Sequence, residues 1–199
     1  MNIMLTRLGV PREIQAFFNA TPELLFSYGE DHEHFGEGFH KLPTTRNIWF
    51  AGSETAGNVI VTYSAMEAIC FITINRLRYP RLDQLAFVAI GNRLHPEHTR
   101  WVRERFTQRR LTLAFGSDLI GHITDIKFVA GMRNIPIRVY HVGQYKVVIN
   151  YKDKIHEFLD EQLSLNTFKQ AVGIRIPILT RKPVNALTFL DQLKHDRDQ

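Results

Sequence analysis

The chain has 199 residues, of which 44% are hydrophobic and 23% charged, with a formal net charge of +5. This composition suits one globular domain, or one domain with an appendage, and excludes collagen-like and low-complexity chains. No apolar run approaches the ~20 residues that span a bilayer. The opening "MNIMLTRLGVPREIQAFF" carries charges and a proline where a signal peptide needs an apolar stretch. The single cysteine, Cys70, excludes an intrachain disulfide, so a cytoplasmic protein is expected.

In chain order, "PREIQAFFN" (11–19) reads as a short helix with Pro11 in its first turn. Residues 23–43, strand-like with interspersed glycines, read as a hairpin or irregular sheet, and "NIWFAG" (47–52) as a further strand. From Asn58 the pattern changes. "VIVTYS" (59–64) is a β-branched apolar run of the kind buried on both faces of a sheet. A helical spacing follows over 65–79, then a second buried strand (85–91) and a helix beginning at Pro96. A third strand (111–116) precedes a helix over 119–133. Strands at 137–143 and 146–151 and a helix at 153–163 complete the regular part. Within 164–199, otherwise less regular, a helix is expected at 184–194. The alternation predicts an α/β fold with right-handed crossovers and a mostly parallel central sheet flanked by helices. The expected organisation is an extension over 1–57, a core over 58–160 and an appendage over 161–199.

Ligands in such sheets bind beyond the carboxyl ends of the strands. Those ends are Tyr63-Ser64, Gly91-Asn92 and Gly116-Ser117-Asp118. Three segments there resemble, in order, the motifs of Toprim domains, the nucleotidyl-transfer module of topoisomerases and DnaG-type primases. They are "VIVTYSAMEAICF", "LAFVAIG" and "LTLAFGSDLIGHITDIKF"; "INYKDKIHEFL" is similar to the Lys-Asp segment of primase-like versions on mobile elements, and carries Lys152. The resemblance implies a Rossmann-like core, DNA or RNA as partner, and an acidic site for Mg²⁺ with a glutamate for proton transfer. Two positions depart from it. Tyr63 stands where the family has its glutamate, and Gly116 replaces the first acid of an Asp-x-Asp pair. Glu67 and Asp118 remain.

On this reading Asp118 would hold Mg²⁺ weakly, and Glu67 would act as the base if the site is active. Tyr63, Ser64, Gly91, Gly116 and Ser117 would line the site. With this depleted set of acids, the expectation is a nucleic-acid-associated protein that acts by binding. An Mg²⁺-dependent nucleotidyl transferase or nuclease, and a protein-interaction domain without nucleic acid, stand as alternatives. Plainer roles exist for each residue: Asp118 as a helix cap, Glu67 as a surface or capping residue, Tyr63 as a packed aromatic.

Charge is unevenly spread. "RLHPEHTRWVRERFTQRR" (93–110) holds six arginines against two glutamates. Arg100, Arg103 and Arg110 follow helical spacing and, together with Lys152, would meet phosphates, the alternative for the arginines being a solvated helix face. The acidic segment "GEDHEHFGEGFH" contributes His32, His34 and His40 with Glu37, a candidate zinc set. His95 and His98, beside the start of a helix, are expected to be exposed. P-loop, dinucleotide and nucleophile-elbow motifs are absent.

Overall fold

The computed structural model describes residues 1–197. Two short helices, α1 (Ile3–Arg7) and α2 (Arg12–Phe17), lead into an antiparallel meander of β1 (Leu24–Tyr28), β2 (Asp31–Gly36) and β3 (Phe39–Lys41). The chain then enters a five-stranded sheet through β4 (Trp49–Gly52) and β5 (Asn58–Thr62). Helix α3 (Ala65–Ile74) leads to β6 (Leu85–Ala89), α4 (Pro96–Arg105) to β7 (Arg110–Leu113), and α5 (Leu119–Met132) follows. A second antiparallel meander of β8 (Ile137–Val142), β9 (Lys146–Tyr151) and β10 (Lys154–Leu159) comes next. Helix α6 (Leu165–Val172), strand β11 (Ile178–Thr180) and helix α7 (Phe189–Arg197) close the chain.

The five-stranded sheet has the order β11-β7-β5-β6-β4 and divides the hydrophobic core in two. Alternation along each strand sends Ile60, Leu85, Phe87 and Ala89 to one face, against α1, α2, α3 and α7. Val59, Val61, Val88, Leu111 and Leu113 go to the other, with Val102 of α4 and Phe106 just after it, Ile126 and Val129 of α5, Phe168 of α6 and Ile149 of β9. Every residue of β6, and every residue of β5 after Asn58, is buried. That is why both read as unbroken apolar runs.

The expected mostly parallel, Rossmann-like sheet is not what forms. Five of the eight strand pairings are antiparallel (β1–β2, β2–β3, β4–β6, β8–β9 and β9–β10), and the five-stranded sheet is itself mixed. The physical reason lies in the connections. Turns of two or three residues join the antiparallel neighbours within each meander, whereas parallel neighbours need a crossover of a dozen or more residues. At Lys152-Asp153 both turn residues have positive φ, 50° and 62°, the conformation of a tight hairpin turn. The helix expected over 153–163 is therefore mostly strand: His156 and Phe158 turn toward the protein, while Ile155 and Leu159 are exposed. The segment after 164 is also more regular than expected. It supplies α6, α7 and the edge strand β11, which pairs in parallel with β7. The other edge, β4, comes from the first 57 residues. No described helix is long and apolar enough to cross a membrane.

Candidate functional site

All three strand ends are covered by the chain itself. Beyond β5, Ser64 caps α3, its hydroxyl accepting from the Glu67 N–H at 3.0 Å. The next two N–H groups, of Ala65 and Met66, donate to the carboxylate of Glu33 at 2.7 and 3.1 Å. Glu33 projects from β2, is fully buried, and also accepts from the Tyr28 hydroxyl at 2.7 Å and pairs with His40 Nε2 at 2.9 Å. A helix N-terminus facing a strand end is a natural anion site, and here the anion is an internal glutamate. Beyond β6, Gly91 has φ +76°, and a Cβ there would lie 2.5 Å from the Pro43 carbonyl oxygen. Beyond β7, a Cβ on Gly116 would lie 2.9 Å from the Leu187 carbonyl oxygen. That oxygen accepts the Ser117 N–H at 3.0 Å, and Ser117 Oγ donates to the Ala186 carbonyl at 2.7 Å.

The remaining acids at this end are held in the same way. Both oxygens of Glu67 accept from the start of α7, the Phe189 N–H at 2.8 Å and the Leu190 N–H at 3.1 Å. Burial pushes the Glu67 carboxyl up to about 6, against the lowering effect of those two donors. Asp118 caps α5, its Oδ1 accepting from the Gly121 N–H at 2.8 Å. Tyr63 donates to Thr124 Oγ1 at 2.6 Å; burial, and then the Asp118 and Asp125 charges, hold its phenol above the ordinary range. One turn beyond Gly121, Asp125 is fully buried with Lys182 Nζ 2.7 Å from its Oδ2. Lys182 also donates to the Gly116 carbonyl at 2.9 Å. Burial raises Asp125 to about 6, with Lys182 opposing.

The histidines of the first meander do not converge. His32 and His34 share the exposed face of β2, with His34 edge-on to Phe39 at 4.8 Å. His40 turns to the other side, against Glu33 and Phe35. Among the described residues, no group of three or more His, Cys, Asp or Glu is gathered so as to hold a metal. His98, expected at the surface, is fully buried: its Nδ1 accepts from the His95 N–H at 3.1 Å and closes a capping box at the start of α4. Cys70 is buried in α3, and burial raises its thiol pKa.

The arginine-rich segment makes a cavity of a different kind. A cleft of about 550 Å³ lies between α4 and the end of α5, lined by Thr99, Arg100, Arg103, Lys127 and Asn134. Leu94, Pro96, Ile135, Pro136 and Ile137 form its apolar parts, and among the described residues its lining contains no carboxylate. Arg103 Nη1 donates to the Gly131 carbonyl at 3.2 Å, which ties its guanidinium to the end of α5. Partial burial, then the Arg93 charge, lower the Lys127 ammonium pKa. Of the four cations singled out from sequence, Arg100 and Arg103 meet here. Arg110 instead opens β7. Lys152 sits in the β9–β10 turn, with its Nζ 5.7 Å from the centre of the Tyr151 ring.

Compared with family models, curated proteins and solved structures, the chain matches none. Sequence reasoning missed Glu33, Asp125, Lys127 and Lys182. For Glu33 a signal existed: on β2 it alternates in phase with the buried Phe35. Lys182 lies far from Asp125 in sequence, and nothing local announces the pair.

Proposed function

We propose that this chain binds nucleic acid through the cleft between α4 and α5. The observation that carries the reading is the joining of Arg100, Arg103 and Lys127 around one concavity whose lining, among the described residues, has no acid. Mutual repulsion among cations is relieved by an anion, and guanidinium groups match phosphate oxygens in a planar, bidentate way. The net charge of +5 favours approach to a polyanion. The motif order resembling Toprim domains points to the same ligand class. Glu67 and Asp118, the two acids that resemblance retains, serve as helix caps, and the reading is one of binding.

The test is the salt dependence of binding to labelled DNA and RNA. Each phosphate neutralised on B-DNA contributes about 0.9 to the slope of log K against log salt. The variant Arg100→Ala/Lys127→Ala changes two exposed side chains and is expected to weaken binding and lower the slope by about 2. An unchanged slope and affinity would remove the cleft from the reading.

A further inference from the structure

We infer that the cleft takes an unpaired nucleotide, phosphate against the cations and base against the apolar wall, rather than the backbone of a duplex. This rests on the nucleic-acid reading above and specifies the form of the ligand.

The first ground is shape. A duplex presents its phosphates on a convex surface, with every base already stacked and paired inside. A cleft of about 550 Å³ falls within the roughly 300–1,000 Å³ that holds a small ligand. A flat basic face would suit duplex backbone; a recess of this size suits one nucleotide unit that has left the stack.

The second ground is the division of the lining. Arg100, Arg103 and Lys127 supply positive charge, while Leu94, Ile135, Pro136 and Ile137 supply apolar surface. A phosphate alone has no use for the second set. A nucleotide uses both, because every base has an apolar face and stacks on apolar groups or guanidinium planes. Leu94, Ile135 and Ile137 are half-buried rather than covered, so their remaining surface is open to a ligand.

The third ground is Asn134. It has φ 53°, and the turn that holds it there is tied by its own N–H to Gly131 and by the Ile135 N–H to Ala130. That turn carries an exposed amide, donor and acceptor together, to the rim of the cleft. An unpaired base exposes the edge such an amide can pair with.

The experiment measures binding of one labelled sequence as single strand and as duplex, with adenosine monophosphate and inorganic phosphate as competitors. Wild type and Arg100→Ala/Lys127→Ala are compared, with circular dichroism confirming that the variant is folded. The single strand is expected to bind about tenfold more tightly than the duplex, as stacking of one base allows. Adenosine monophosphate is expected to displace it at about one tenth of the phosphate concentration, and both competitors are expected to weaken in the variant, which keeps the apolar wall but loses two of the cations. Equal affinity for duplex, no advantage of the nucleotide over phosphate, or undiminished competition in the variant each overturns the inference while nucleic-acid binding stands. Absence of salt-sensitive binding to either form overturns the parent reading, and the inference with it.

Discussion

His98 makes the fold acid-sensitive in a way that one substitution isolates. Its imidazole is fully buried in the first turn of α4, with Nδ1 accepting the His95 N–H. Burial, and then the neighbouring His95 charge, lower its pKa from 6.5 to about 4. The unfolded chain therefore binds a proton at a pH where the folded protein does not. Stability contributed by the neutral imidazole is fully present above about pH 6.5 and is lost as pH falls toward 4. At 1.36 kcal/mol for each tenfold change, the loss is about 2 kcal/mol at pH 5 and about 3 kcal/mol at pH 4. Glu67 and Asp125 act in the opposite sense. Their folded pKa values are raised, so the stability they give is present at low pH and falls as pH rises through about 6. The wild-type profile alone mixes these contributions. His98→Gln keeps an acceptor at the capping-box position and cannot titrate. Urea unfolding of wild type and His98→Gln between about pH 4 and 7.5 gives a difference in which the carboxylates cancel. That difference should move by about 3 kcal/mol in favour of the variant as the pH falls from 7 to 4. A flat difference would refute the burial argument for His98.

Three further substitutions probe the covered strand ends. Glu67→Ala leaves the buried Phe189 and Leu190 N–H groups without their acceptor. It should destabilise by about 2–4 kcal/mol and speed amide exchange in α7, with nucleic-acid affinity unchanged; a catalytic requirement for Glu67 would show instead as lost turnover at full stability. Gly116→Asp, which places an acid where Toprim motifs carry one, forces a Cβ against the Leu187 carbonyl. Its thermal midpoint should fall with a loss of about 1–3 kcal/mol, and an unchanged midpoint would mean that the 182–190 segment yields easily. Lys182→Met strands the buried Asp125 carboxylate at about 3–5 kcal/mol. Because the Asp125 pKa then rises further, the deficit should grow as pH rises past 6 and shrink below it; a deficit independent of pH would argue against the pair.

The apolar runs of β5 and β6 and the helical spacings of α3, α4 and α5 were legible because local periodicity records which face is buried. Asp118 as a cap was legible for the same reason, since a cap depends only on the next three residues. The direction of pairing was not. The strands of 146–159 turn back on themselves where Lys152 and Asp153 adopt positive φ, and a Lys-Asp pair does not by itself announce that turn. Nor was the fate of the strand ends. Glu33, Pro43 and Leu187 lie 32, 48 and 71 positions from the Ala65, Gly91 and Gly116 that they cover, and no local pattern encodes such a distance. Thus Gly116 reads in isolation as a missing metal ligand, while the fold shows the space an acid would need taken by a backbone carbonyl. The sequence determined the elements from β5 to α5, the basic segment and the absence of a long apolar span. Tertiary structure alone decided that the strand ends are sealed by the chain's own carboxylates and carbonyls, and that Arg100 and Arg103 meet Lys127 in an open cleft. The reason is that propensity and periodicity act over a few residues, whereas burial of a charge or a carbonyl is settled by whatever segment packs above it.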